Sequence, residues 1–497
     1  QRTNLLKYTI YMSDILDLKP ESIWKNFHAI TRVPRPSGHT DKIREFLLEF
    51  ARTKGIEAYA DSTGNVIMRK PATPGMENRR GIILQAHMDM VPQKNSDVVH
   101  DFERDPIETY VDGDWVKARG TTLGADNGMG MAAIMSVMED DSLKHGPMEA
   151  LITMDEETGM EGAFGLKPGE LNGQILLNLD SEDEGQLFIG CAGGVDVNVD
   201  CKYKETEADA DDVAVSVALR GLRGGHSGME INSGRANANK IMVRFLRDIA
   251  QQYSARIIRM EGGNMRNAIP REAFTDMSVP KDSVDALLQA VKDYEALLVR
   301  EFGTVEDSLS FTAEVTGKVS AKTMKKKDQR AMLNAIYACH DGVLRYIPTI
   351  PDTVETSSNM SVVRIEGGRM SLQFLVRSSS ETMKAYLANM IASCFELVDA
   401  EVEMSGDYSG WQPDVNSSIL HSMKEEYHKL FGADPEVKVI HAGLECGIIG
   451  AAMPGLDMIS FGPTLRSPHS PDERVYVPSV EKFYKFLVAS IENAPLK

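Results

Sequence analysis

The chain has 497 residues, 42% hydrophobic and 26% charged, the balance of a soluble globular protein. That length exceeds one ordinary core, so two or three domains are expected. The formal net charge of -19 excludes nucleic acid and an anionic membrane surface as partners, since both call for basic patches. No apolar run reaches the roughly 18–20 residues that cross a bilayer. Five scattered cysteines, Cys191, Cys201, Cys339, Cys394 and Cys446, form no C-x-x-C pair. They read as the free thiols of a reducing cytoplasm, not as a disulfide framework or a thiolate zinc site.

In chain order, the opening "QRTNLLKYTIY" is too short and interrupted for a secretion signal, and Met12 is the expected natural start. "DKIREFLLEFARTKG" (41–55) has apolar residues at helical spacing. "IILQ" (82–85), "ALITM" (150–154) and "ILLNL" (175–179) are apolar runs of strand length, and "MGMAAIMSVMED" (129–140) reads as a buried helix between them. Strands alternating with helices predict an α/β layer on a mostly parallel sheet. After "CAGG" (191–194) the texture changes, and "CKYKETEADADD" (201–212) reads as a polar hinge. From there to about 405, "VAVSVALRG" (213–221), "NANKIMVRFLRDIA" (237–250), "VDALLQAVKDYEALLVREF" (284–302) and the runs 360–366 and 370–377 indicate a separate α+β unit. The α/β texture then returns, with a helix at 419–431 and strands at 437–440 and 457–461. The expected organisation is a catalytic α/β domain in two parts, 13–200 and 407–497, interrupted by an inserted α+β lid domain, 201–406.

Several strand-like runs end in an acid or an imidazole. "IILQA" delivers His87 and Asp89, "ALITM" delivers Glu156 and Glu157, "ILLNL" delivers Asp180, and "DMISFGPT" leads to His469 in "SPHSPDE". Asp126 sits in "TTLGADNGMG", just before a helix. In open α/β sheets ligands bind beyond the carboxyl ends of the strands, so this pattern would pool these groups in one crevice. Two histidines with several carboxylates are the inventory of a zinc, cobalt or manganese site. Cations would also explain why "DEE" (155–157) tolerates three adjacent acids, which otherwise raise each other's pKa.

The ordered set H-x-D, G-A-D-N-G, E-E, D-S-E and P-H-S resembles the di-zinc aminopeptidase/carboxypeptidase/aminoacylase superfamily. More closely, "LQAHMDMVPQKN", "KARGTTLGADNG", "CAGG", "GGHSG", "RNAIPRE", "GWQPD", "HAGLECG" and "SPHSPDE" are similar to the bacterial aminoacyl-histidine dipeptidase group. The resemblance implies that His87, Asp126 and Asp180 hold one zinc ion and that Asp126, Glu157 and His469 hold a second, with Co2+ or Mn2+ as substitutes. It implies a cis Asp126–Asn127 bond, Asp89 as the acid that orients His87, and Glu156 as general base. In the inserted domain, His226 of "GGHSG" matches a histidine that stabilises the oxyanion, often from a partner subunit or after lid closure. Asn267 and Arg377 match substrate-contacting positions, although many members carry Asp where this chain has Leu375. "HAGLECG" (441–447) opens a helix whose first N–H groups, near Gly443, suit a substrate carboxylate, and Glu445 and His441 read equally as pocket residues or as helix caps.

The implied activity is hydrolysis of Xaa-His dipeptides, β-alanyl-histidine included, and of other dipeptides in the cytoplasm, by a homodimer formed through the inserted domain. An N-acyl-amino-acid deacylase or carboxypeptidase of the same superfamily is the first alternative. A non-catalytic binding protein on this fold is the second, and the intact ligand set speaks against it. Glu182, Asp183 and Glu184 read as solvated, and "GMGMAAIM" as core packing.

Overall fold

The computed structural model describes residues 14–497, so the Met12 start lies outside the described residues. The chain divides into two units: residues up to Gly190 with Pro413–Val439 and Ile448–Lys497, and Cys191–Gln412 with Ile440–Gly447.

The first unit is built on an eight-stranded sheet. Its centre is a parallel ladder of Met148–Thr153, Ile82–His87, Ile175–Asn178 and Asp457–Ser460. Every residue of the first three of these strands is buried, which is why they read as unbroken apolar runs without alternation. The parallel order does not extend to the flanks. Val66–Lys70 pairs antiparallel with Met148–Thr153, and Gln186–Cys191 pairs antiparallel with Asp457–Ser460. Helix Ala125–Glu139 is buried almost all round, as "GMGMAAIM" suggested, and packs on Glu21–Thr31 and on the central strand Ile82–His87. A separate four-stranded sheet joins Leu465–Arg466 and Arg474–Tyr476 to Trp115–Ala118 and Thr109–Asp112. Residues 467–473 therefore form a loop pinned at both ends.

The second unit carries a nine-stranded antiparallel sheet with helices Ala238–Gln252, Val284–Phe302, Lys326–Ala338 and Glu381–Glu396. Its core includes the fully buried rings of Phe245, Phe311, Phe374 and Phe395. Strand Gly193–Lys202 belongs to this sheet, pairing with Arg369–Ser378 and Glu401–Tyr408. The boundaries expected at 200/201 and 406/407 thus cut through strands, and the observed breaks fall at 190/191 and 412/413. The polar "CKYKETEADADD" covers the end of strand Gly193–Lys202 and the short strand Glu205–Thr206, not the point where the chain changes sheets. Residues 440–447 also join this unit, which nothing in the composition indicates.

Leu84 is fully buried at the centre of the parallel ladder. Leu84→Ala is expected to cost roughly 2–5 kcal/mol and to lower the first thermal unfolding transition. An unchanged transition would contradict a packed centre at this strand.

Candidate metal centre

The carboxyl ends of the parallel strands set the site. His87 is the last residue of its strand, Asp180 follows Asn178 by two positions, and Asp155, Glu156 and Glu157 follow Thr153. His87 Nε2 lies 3.1 Å from Asp126 Oδ1 and 3.4 Å from Asp180 Oδ1. The other Asp126 oxygen, Oδ2, lies 3.1 Å from His469 Nε2, which is also 2.9 Å from Glu157 Oε1. One carboxylate thus faces two imidazoles, one on each oxygen. The Asp126–Asn127 peptide is cis.

The electrostatics favour added positive charge. Burial depresses the His87 imidazole, yet Asp180, Asp126 and Asp89 together pull it well above its ordinary value. Hydrogen bonding to Asp126, reinforced by Glu157, raises His469 to about 11. Burial pushes the Asp180 carboxyl up to about 7, while Asp126, buried as deeply, is held below the usual carboxylate range by His469 and His87. Protons on the two imidazoles, together with the Arg35 guanidinium, serve as counter-charge to these carboxylates. Carboxylates crowded this way suit a metal, which neutralises them without a proton.

The donor atoms fit that role. His87, Asp126 and Glu157 each offer a ligand atom, and these atoms lie within 4.8 Å of one another. Glu157 Oε1 is buried, and the imidazole Nε2 of His469, 2.9 Å away, is the partner it faces. Each imidazole has two carboxylates within 3.4 Å, Asp126 and Asp180 at His87, and Asp126 and Glu157 at His469.

Asp89 anchors two parts of the cluster. Its Oδ1 lies 3.3 Å from His87 Nδ1 and accepts the Glu156 N–H at 3.0 Å. Its Oδ2 accepts the Ser37 hydroxyl at 2.7 Å and the Glu157 N–H at 3.2 Å. Although burial opposes it, His87 and these donors hold the carboxyl down to about 2. The "DEE" acids separate because Asp155 takes a positive φ of 48° and its Oδ1 accepts the Gly38 N–H at 2.7 Å, while helix Glu156–Gly159 begins beyond it.

Two buried groups here were not among the expected site residues. Arg35 donates to the Met88 and Asp89 carbonyls at 3.0 and 2.7 Å and to the Gly124 carbonyl. A Cβ on Gly124 or on Gly128 would lie 2.7 or 2.8 Å from Arg35 Nη2, so both glycines of "GADNG" make room for the guanidinium. Burial lowers Arg35 to about 10, against the pull of Asp89, Glu473, Asp126 and Glu157. Glu473 accepts the N–H groups of Leu123, Gly124 and Asp126 at 2.8, 2.9 and 3.1 Å, and burial pushes its carboxyl up to about 7. Its place four residues after His469 was the one available signal, but an acid after "SPD" reads as a solvated turn. Asp183 and Glu184, expected to be solvated, pair with Arg466 and with Lys482 and Tyr427.

In the second unit, the buried Arg377 is held by hydroxyls: Nε donates to Ser227 Oγ at 3.3 Å and Nη1 to Tyr408 OH at 3.0 Å. Its Nη2 lies 3.5 Å from His226 Nε2. His226 Nδ1 accepts the N–H groups of Gly228 and Met229 at 3.2 and 3.0 Å, so the neutral ring carries its proton on Nε2. Nε2–H and the guanidinium are therefore neighbouring donors that do not satisfy each other, an arrangement made for an anion. A Cβ on Gly228 would lie 2.0 Å from the His441 carbonyl, so the glycine after "HS" is required where segment 441–447 passes. His441 is buried with Nε2 2.7 Å from Ser357 Oγ, and Glu445 is buried at the start of helix Glu445–Ala452, two residues after the half-buried Gly443. Asn267 is exposed and holds this cluster through its carbonyl, which accepts the Ser227 N–H at 2.8 Å.

Residues 83–493 match the model of peptidase family M20/M25/M40. The cytosol non-specific dipeptidase of Escherichia coli (strain K12) is 44% identical over 487 residues, 98% of this chain and all of that protein. The crystal structure of aminoacylhistidine dipeptidase from Vibrio alginolyticus superposes with a TM-score of 0.94 at 44% identity, covering 98% of this chain and 99% of that one. An aminopeptidase PepT structure from Bacillus cereus shares the fold at 16% identity and a TM-score of 0.56, over 96% and 99% of the two chains. The protein belongs to peptidase family M20/M25/M40.

Proposed function

We propose that the protein is a cytoplasmic, metal-dependent dipeptidase that cleaves Xaa-His dipeptides, β-alanyl-histidine included, and a broader range of dipeptides. The observation that carries this reading is the Asp126 carboxylate, with one oxygen on His87 and the other on His469. The names of the two relatives at 44% identity support the substrate class. The five free cysteines suit a reducing compartment, and among the described residues no helix is long and apolar enough to cross a membrane.

His87, Asp126 and Asp180 would hold one zinc ion, and Asp126, Glu157 and His469 a second, with cobalt or manganese able to replace them. When bound, such a pair acidifies a water and polarises the scissile carbonyl. Glu156 would take a proton from the attacking water, whose oxygen adds to the acyl carbon. Glu156 would then return that proton to the amine nitrogen as the C–N bond breaks. The proton left on the new carboxylic acid passes to the released amine, giving a carboxylate and an ammonium. The backbone bonds from Glu156 and Glu157 to Asp89 fix where the two glutamates start. By the resemblance, His226 Nε2–H would serve as a donor for the oxyanion, and Arg377 would suit a free substrate carboxylate. Asn267, Gly443 and Glu445 complete the proposed substrate contacts. The inserted unit would also form a homodimer, a reading supported by Ser310–Lys318, a largely exposed strand at the open edge of its sheet.

The direct test compares metal-stripped and zinc-restored protein on β-alanyl-histidine, a panel of α-dipeptides and N-acetyl amino acids. Zinc-dependent release from dipeptides alone is expected; turnover confined to N-acetyl substrates would move the protein to the deacylase branch. Glu156→Gln should keep its metal and lose roughly 10²–10⁴-fold in kcat. Substantial turnover in that variant would remove Glu156 as base. Asp89→Asn should weaken zinc binding roughly 10–100-fold in a chelator competition, and wild-type affinity would contradict its orienting role.

A further inference from the structure

The loop that carries Asp126 is held from two sides by buried charges. Both Glu473 oxygens are used: Oε2 accepts the Leu123 and Gly124 N–H groups and Oε1 accepts the Asp126 N–H. From the other side, Arg35 donates to the Gly124 carbonyl. Glu473 and Arg35 are each only 2% exposed. Burying a carboxylate whose acceptors serve only backbone N–H groups is costly, and a solvated loop would not call for it. Glu473 also shares its loop with His469, and the strands Leu465–Arg466 and Arg474–Tyr476 pin that loop at both ends. One short segment therefore brings the imidazole that meets Asp126 Oδ2 and the carboxylate that holds the Asp126 backbone.

We propose that Glu473 is a positioning residue that fixes the Asp126 carboxylate between His87 and His469, and so sets the affinity and geometry with which both metals are held. The inference rests on the reading of Asp126 as the shared ligand. Glu473 would touch neither metal nor substrate; it acts through the main chain of Asp126. An isosteric glutamine cannot replace it. Its amide group would set a donor against at least one of the three N–H groups, leaving that N–H buried without an acceptor.

The test is zinc and cobalt titration of metal-stripped Glu473→Gln in competition with a chromophoric chelator, beside the cobalt absorption spectrum and the melting curve of the metal-free form. Expected are zinc affinity reduced roughly 10–100-fold, an altered cobalt spectrum, and a fall in dipeptide kcat with KM little changed. Wild-type affinity with a wild-type cobalt spectrum would overturn the inference. So would a lowered melting temperature of the metal-free form with metal binding unchanged, since that is the signature of a purely structural clamp. Should Glu473→Gln fail to fold, Arg35→Lys perturbs the same loop from the opposite side, and an unchanged cobalt spectrum there would overturn the inference equally. Wild-type protein that takes up no metal would instead sink the shared-ligand reading itself.

Discussion

Both oxygens of the Asp126 carboxylate are engaged, Oδ1 by His87 and Oδ2 by His469, and the surrounding structure keeps that carboxylate in place. The parallel strands deliver His87 and Asp180 to one edge of the sheet. A buried helix begins at the aspartate. A pinned loop returns His469 from the far end of the chain. No single element makes the site; it exists where three separate segments converge on one side chain.

That convergence has an electrostatic consequence. Asp89, Asp126, Glu157, Asp180 and Glu473 lie close together, with Arg35 as the fixed positive charge among them. The group responds by raising two imidazoles and two carboxyls, Asp180 and Glu473, toward their protonated forms. A pocket that recruits protons so strongly is prepared for cations. Asp89, by contrast, stays ionised because its oxygens are spent on a hydroxyl and two backbone N–H groups beside His87. Of the adjacent acids of "DEE", Asp155 and Glu157 find different surroundings, the first on the Gly38 N–H and the second on the His469 imidazole.

Of the proposed ligands, His87, Glu157 and Asp180 stood out because each sits at or just after an apolar run that forms a buried parallel strand, and such strands share one functional end. Asp126 stood out only as the acid before a buried helix, and His469 only as a loop imidazole. Two of the second unit's helices, Ala238–Gln252 and Val284–Phe302, and its paired strands Val354–Glu366 and Arg369–Ser378 were legible from the sequence pattern, while helices Lys326–Ala338 and Glu381–Glu396 were not singled out. Arg35 and Glu473 were not. Their partners are backbone groups 89 and 350 residues away, and no local pattern announces a side chain that serves a distant main chain. The expected unit boundaries fall ten residues late at the first break and six early at the second, because composition reports exposure while membership of a sheet is decided by pairing. His226 was visible as a glycine-flanked histidine, but its fixed tautomer depends on two N–H groups that only the folded turn supplies.

The central claim is that one carboxylate serves two metals, and the metal content of folded Asp126→Ala tests it most directly. Elemental analysis of the dialysed variant beside wild type should find two equivalents in wild type and the loss of both together in the variant. One equivalent retained with undiminished affinity would contradict the shared ligand and leave two independent sites.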